Sequence, residues 1–357
     1  MKWWEKLKHN PLARLGAVLL LTFYTVALFA DFVAPYDPYD SQFKGSLLSP
    51  TQIHFKTPDG RFLPHVYPTI QEPVDANTGN RQVIVDELKP STIGLFVKGY
   101  SYKILGIVPC ERHLFGTTGE GKINILGTDE LARDQFSRLV HGSRISLSIG
   151  LVGIAISFPL GLLIGGISGY FGGWIDSILM RLVEVLMTIP SIYLLIALAG
   201  MLANRKIMLT SAEQFMLIVI ITSFISWAGL ARVIRGQVLS IKEREFVQAA
   251  RAMGANPIYI IIRHVLPQTA TYVIISATLS VPSFIVTESV LSLIGLGIQQ
   301  PDASWGNLLS LSTNASIIVL QPWLVWPPAV LIVLTVLAFN LLGDGLRDAL
   351  DPRSIQR

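Results

Sequence analysis

The sequence predicts an all-α polytopic membrane protein with six transmembrane helices and a small β-rich extracytoplasmic insertion. Three observations lead there. The 357 residues are 51% hydrophobic and only 15% charged, whereas an average soluble domain carries roughly 25% charged residues. The charge is unevenly placed, because residues 34–144 hold 24 of the 52 charged side chains, twelve of each sign. Six stretches are long and apolar enough to cross ~30 Å of hydrocarbon, which takes about 20 residues in a helix. The same numbers exclude other classes. A chain this apolar does not stay disordered in water, and the net charge of +4 lies near membrane ends, not in a basic patch for nucleic acid. Cys110 is the single cysteine and has no Cys or clustered His at metal-ligand spacing, so neither a disulfide scaffold nor a metal site is expected.

Taken in order, residues 1–34 form an N-terminal flank and the first span, near 13–33. Its basic start and the small residues Ala27 and Ala30 invite a signal-peptide reading, but the apolar stretch is long enough to span and the spacing is not A-x-A, so retention is expected. Residues 35–126 form the insertion. Turn formers (Pro38, Pro50, Pro58-Asp59-Gly60, Pro64, Pro68, Asn77 to Asn80) separate short β-prone pieces, clearest at Arg81 to Val85 and Ile93 to Val97. The segment serves as a rigid spacer, or it docks a partner or shields a pore mouth. Gly116 to Lys122 fits the first seven positions of a phosphate-binding P-loop, but Ile123 stands where Ser or Thr must hold magnesium, so a glycine-rich hairpin followed by a short strand and turn at Ile123 to Gly127 is expected.

Residues 127–145 read as an amphipathic elbow. Asp129, Arg133, Asp134 and Arg138 have helical spacing, Thr128 is placed to cap, and Asp129 with Arg133 and Asp134 with Arg138 have the favoured acidic-before-basic order. Holding the pore mouth or a partner is favoured over ligand contact. Residues 146–343 are a transmembrane core with spans near 146–169, 181–203, 214–234, 269–297 and 323–343. Between the last two, Trp305 to Leu320 reads as a loop with a short interfacial helix, and 344–357 is a tail. Glycines 150, 153, 161, 165, 166 and 169, several four residues apart, suit close helix packing. Pro159, Pro190 and Pro282 lie inside spans and allow kinks. Glu184 is expected to pair with Arg181 at the interface. Glu288 lies deeper and faces either a polar cavity or a structural hydrogen bond. With Pro282 and Pro190 it is a candidate for the pathway or gate.

Direction comes from Lys and Arg near short connections. Fourteen lie on one side (Lys2, Lys6, Lys8, Arg14, Arg181, six between 232 and 263, and three in the tail), against Arg205 and Lys206 on the other. Both termini are therefore expected in the cytoplasm. The cytoplasmic loop at 241–267 carries the most information. Glu243 to Met253 suits a helix with Phe246, Ala249, Ala250 and Met253 on one face, Gly254 ends it, Asn256 caps the next helix with Pro257 in its first turn, and Pro267 interrupts that helix. Composition alone allows an amphipathic connector on the lipid surface.

The residue order points further. Gln248-Ala249-Ala250, Gly254 and, after nine intervening residues, His264-Val265-Leu266-Pro267 resemble the EAA signature of ABC importer permeases, with Gln248 for the usual Glu and His264 for the usual Ile. Gly127-Thr128-Asp129, Arg133-Asp134, Ser137-Arg138 and Gly142-Ser-Arg144 resemble a segment of the dipeptide/oligopeptide permeases, with Ala132 for the usual glycine. Tyr170 to Asp176, Glu288 to Gly297, Pro301 with Ser304-Trp305-Gly306, and Asn340 to Asp348 match that family too. The chain is thus similar to the C-type permease subunit of a peptide importer in the bacterial inner membrane, over the first span and everything from about 114 onward.

The resemblance implies a type I importer fold and no catalysis in this chain. It implies a second homologous permease, two cytoplasmic ATPase subunits that carry ATP and magnesium, and an extracytoplasmic substrate-binding protein. The Gly254 turn would dock on an ATPase subunit. Most of the loop's basic residues follow the positive-inside rule instead of meeting acidic patches. Nickel, glutathione or oligosaccharides are alternative cargoes for the same architecture. A membrane enzyme is disfavoured by the absence of an HExxH, G-x-S-x-G or paired-carboxylate motif, and a stand-alone secondary transporter by the absence of internal repeats with interrupted helices.

Overall fold

The computed structural model describes residues 3–56, 62–72, 82–190, 193–194, 196–197, 200, 211–295 and 297–350. The far half of the predicted third span, the basic pair Arg205 and Lys206, the turns at 58–60 and 77–80, and the last tail residues lie outside them. Two compact units result, one made of 1–20, 148–288 and 334–357, the other of 21–147 and 289–333.

Among the described residues, five helical stretches are long and apolar enough to cross a membrane: Pro11–Leu28, Gln135–Phe171, Met216–Ile241, Pro257–Leu293 and Pro322–Leu350. In chain order the helices are α1 (Trp3–His9), α2 (Pro11–Leu28), α3 (Ala30–Val33), α4 (Gln135–Phe171), α5 (Gly173–Thr188), α6 (Ser211–Ile241), α7 (Glu245–Ala252), α8 (Pro257–Ile260), α9 (Ala270–Leu293), α10 (Trp305–Leu309), α11 (Ala315–Leu320) and α12 (Pro322–Leu350). Pro159, Pro282, Pro327 and Pro328 are accommodated inside helices. Pro190 follows a break, since α5 ends at Thr188 and Ile189 is already extended.

In the first unit the glycine stripe of α4 does what its spacing suggests. A Cβ on Gly165 would lie 2.5 Å from the Ala231 carbonyl oxygen, and one on Gly169 2.8 Å from that of Arg235, so α4 and α6 meet backbone to backbone. On another side of α4, a Cβ on Gly150 would come within 2.4 Å of Val281 and one on Gly153 within 2.6 Å of Phe284, both on α9. Without a hydrophobic driving force between helices in lipid, such close approach supplies the packing energy.

In the second unit, among the described residues, the segment before α4 holds six strands: β1 (His54–Lys56), β2 (Phe62–Val66), β3 (Thr69–Gln71), β4 (Val83–Val85), β5 (Ser91–Ile104) and β6 (Val108–Thr118). An antiparallel sheet runs in the order β1-β2-β5-β6, and β3 pairs with β4 separately. The long β5–β6 hairpin is in register from Thr92 opposite Thr118 to Ile104 opposite Val108, with a shift between Lys98 and Tyr102. Its buried His113 fixes the sheet to the short helix α3, with Nδ1 2.8 Å from the carbonyl oxygens of both Asp31 and Ala34. Gly116 to Thr118 close β6, while Ile123 to Gly127 form a turn in which Gly127 donates to the Asn124 carbonyl, not the expected strand. Past α9, Ser304 caps α10, and Trp305 is fully buried, its indole N–H donating to the Leu139 carbonyl.

Candidate functional site

The loop between α6 and α9 is built as a rigid projection. The helix α7 buries Val247 and Ala250, one turn apart, in a cluster with Val238, Ile241, Ile260, Ile261 and Val265. It ends in a complete Schellman motif: Gly254, at φ +77°, donates to the Arg251 carbonyl at 3.0 Å, and Ala255 donates to that of Ala250 at 3.1 Å. Asn256 then caps α8, its Oδ1 accepting from Ile258 N at 2.9 Å, with Pro257 in the first turn. Three features are as expected: the helix, the glycine stop and the capped restart.

Two are not. Pro267 does not end the second helix. After α8 the chain winds wider over Ile261–Val265 and tighter over Leu266–Thr269, then continues into α9. A proline early in the tight turn removes only an N–H with no helical partner to lose. The predicted apolar face also divides. Ala250 is buried, but Phe246, Ala249 and Met253 point outward, Met253 at 82% exposure, and beyond the turn Ile258, Tyr259 and Ile262 are exposed as well. Around Gly254 the loop thus presents apolar side chains on a packed base, and a Cβ at Gly254 itself would meet nothing within 4 Å.

The departures from the usual signature have local partners. The Gln248 amide donates to the Lys242 carbonyl at 3.1 Å, which a glutamate could not do. His264 stands edge-on to Tyr259, and Leu266 packs against the open face of Gly166 on α4. Sequence reasoning missed the lock behind the loop. Asp176 at the start of α5 receives both Nε and Nη2 of Arg235 on α6, each at 2.5 Å, and also the Ser168 hydroxyl. The guanidinium holds the Asp176 carboxyl below its usual range. Arg251 of α7 lies over the Tyr170 ring, 5.1 Å from its centre, so the end of α4 is held from α6 and α7. The available signal was Asp176 in the Tyr170 to Asp176 segment together with the basic Arg235 on α6.

The 127–145 segment differs more. Helix α4 begins only at Gln135, and residues 127–134 are turns and bridges. Gly127 at φ +66° and Ala132 at φ +60° break the helical path that the charge spacing suggested. The side chains are buried, not solvated. Thr128 donates to the Gly45 carbonyl and accepts from Leu48 N, so it caps no helix. Asp129 pairs with Arg133 at 2.7 Å as expected. Asp134 does not pair with Arg138. It caps α4, with Oδ2 accepting from the backbone N and hydroxyl of Ser137 at 2.7 and 2.6 Å. Burial pushes its carboxyl up to about 7, the Ser137 bonds pulling the other way. Arg138 turns to Asp129 at 3.5 Å, Gln300 Oε1 at 2.9 Å and the Pro301 and Pro38 carbonyls at 3.0 and 3.2 Å. Arg133 shares the same Gln300 oxygen at 2.7 Å. Two guanidiniums therefore share one carboxylate in a dry site, and the remaining charge is spread over neutral oxygens. Arg144 donates to the Ala27 and Leu28 carbonyls at the end of α2 and pairs with Asp31 at 2.7 Å.

Of the pathway candidates, Pro282 lies inside α9 and Glu288 is fully buried in the same helix, while Pro190 stands exposed past α5. Arg181 and Glu184 form the expected exposed pair at 3.7 Å. Among the described residues no group of His, Cys, Asp and Glu is placed to hold a metal.

Comparison with known proteins gives a consistent picture. Residues 159–356 match the family described as the binding-protein-dependent transport system inner membrane component, and residues 2–50 match the N-terminal TM domain of oligopeptide transport permease C. The chain is 44% identical over 227 residues to the dipeptide transport system permease protein DppC of Bacillus subtilis (strain 168), covering 64% of this chain and 68% of that one. It is 42% identical over 230 residues to the oligopeptide transport system permease protein OppC of Haemophilus influenzae, covering 64% and 70%. Among solved structures, the inward-facing MetNI methionine ABC transporter aligns over 60% of this chain and 97% of that one, with 22% identity and a TM-score of 0.44.

Proposed function

Since the chain belongs to the binding-protein-dependent transport inner membrane components, we propose that it is one of two permease subunits of an ATP-driven importer for peptides. In this reading it contributes the six spans that the sequence predicts and half of the translocation pathway. Both termini and the 241–267 loop face the cytoplasm, and the strand-bearing segment and the buried arginine cluster face outside. Two ATPase subunits bind and hydrolyse ATP with magnesium, and a binding protein outside delivers the cargo.

The observation that carries the coupling role is the exposed apolar surface around Gly254. A soluble face of that kind is normally covered, and here it sits on a base tied by Arg251 to α4 and backed by the Asp176–Arg235 lock. A rigid body held in this way moves as a unit when a partner pushes it. Peptide cargo is supported by the names of the relatives. The arginine cluster is buried and bonded to chain oxygens of Asp129, Gln300, Pro301 and Pro38, which supports a bracing role.

Co-purification tests the assembly. Tagged chain expressed with its neighbouring genes should bring down ATPase subunits and a second permease. Uptake by this chain alone in vesicles, driven only by an ion gradient, would overturn the reading.

A further inference from the structure

Within the first unit a cleft of about 450 Å³ opens between α4, α6 and α9, within the size range of ligand sites. Its polar lining is hydroxyl only, with no ionisable carboxylate, amine or guanidinium. What those hydroxyls have left to offer is the informative point. Ser157 donates to the Gly153 carbonyl at 2.7 Å and Thr222 to that of Ile218 at 2.6 Å. Ser226 donates to Thr222 O, Ser280 to Ser276 O and Thr287 to Ser283 O, each at 2.7 Å. In every case the proton is used one turn back in the same helix. A hydroxyl has one proton and two lone pairs, so what these five of the eight lining hydroxyls turn toward the cleft is acceptor oxygen, with Tyr272, Ser276 and Ser283 completing the set. The rest of the wall is apolar and aromatic, including Phe158, Leu230 and Phe284. Polar side chains in a membrane core are costly on a lipid face and mark interior or water-filled surfaces.

A neutral cleft rich in acceptors fits a solute that brings N–H donors. Peptides of any sequence share two kinds: backbone N–H groups and the α-ammonium group, which has three donors and no acceptor. We propose that this cleft is a stretch of the peptide path, where hydroxyl oxygens hold the N-terminal ammonium and the backbone N–H groups while the side chains meet only apolar, uncharged wall. The inference rests on the importer reading and adds which atoms of the cargo are recognised. Weak neutral acceptors suit passage, because a path has to release what it binds.

The test uses the assembled importer with Cys110→Ala, which removes the single native cysteine, and adds Ser280→Cys or, on α9's exposed apolar side, Ile274→Cys as control. During turnover, thiol reagents of equal size carrying an ammonium or a sulfonate are applied, with rates normalised to free cysteine. At position 280 the ammonium reagent should react about tenfold faster or more, and dipeptide delivered by the binding protein should slow it, while position 274 shows neither effect. Equal rates, a faster sulfonate, no reaction, or no protection by dipeptide overturn the proposal. The Cys110→Ala complex with Ser280 intact separates the two levels: if it hydrolyses ATP without importing peptide, the importer reading fails, and if it imports peptide while position 280 shows no charge preference, the cleft assignment alone fails.

Discussion

Replacing Gly254 by alanine, asparagine and tryptophan separates the cost of folding the turn from the cost of docking it. At φ +77° a non-glycine residue costs about 1–2 kcal/mol, and asparagine tolerates the region best. Because a Cβ there meets nothing within 4 Å, any side chain at this position starts into open space. Alanine and tryptophan variants should therefore melt within about 1 kcal/mol of each other and assemble alike. Their coupling should differ sharply, because in the proposed reading the space beyond Gly254 is where an ATPase subunit docks. The assay is ATP hydrolysis by the reconstituted importer with and without loaded binding protein, with thermal melting of the same samples. Asparagine should retain most of the stimulation, alanine part of it, and tryptophan none. A tryptophan variant stimulated as well as the natural protein would refute docking at this turn. A melting loss that grows with side-chain size would refute the open geometry.

Other consequences follow from the second unit. Asp129→Asn leaves two buried guanidiniums without their carboxylate and should cost on the order of 3–5 kcal/mol, visible as a lower melting temperature of the purified complex. Ala132→Gly relieves a left-handed alanine at φ +60° and, after the entropy glycine adds to the unfolded chain, should raise stability by about 0.5–1 kcal/mol in the same measurement. Asp134, pushed up to about 7 by burial, keeps its proton in the folded state where the unfolded chain has lost it. Its contribution should therefore make stability fall as pH rises from about 4 to about 7, and level off above. Asp134→Asn, which still caps α4, should flatten that part of the profile, and an unchanged slope in melting against pH would contradict the assignment.

Features set by local chemistry were legible in the sequence. The apolar stretches predicted the long helices, because a membrane span is a matter of length and composition. The four-residue glycine spacing predicted the α4 contact surface, and Gly254, Asn256 and Pro257 predicted the stop and restart of the loop. What was not legible depended on distant partners. Charge spacing at 129–138 suits a surface helix, but Arg138 finds Gln300 and the Pro38 and Pro301 carbonyls, and two left-handed residues turn the backbone away. Ala132, noticed only as an unusual replacement, stands in a left-handed position suited to the usual glycine. Pro267 looked like a breaker because helix winding was taken as uniform. The hydroxyl cleft left a trace, pairs such as Ser276 with Ser280 and Ser283 with Thr287 four residues apart. Only the meeting of three helices makes those pairs one surface.

The most direct measurement is uptake of a labelled dipeptide by proteoliposomes holding this chain, its partner permease and the ATPase subunits, with binding protein on the side opposite the Gly254 loop. Accumulation that requires ATP and binding protein, and that disappears in the Gly254→Trp complex, is the predicted result. Accumulation that proceeds without ATP, or that survives omission of this chain, would contradict it.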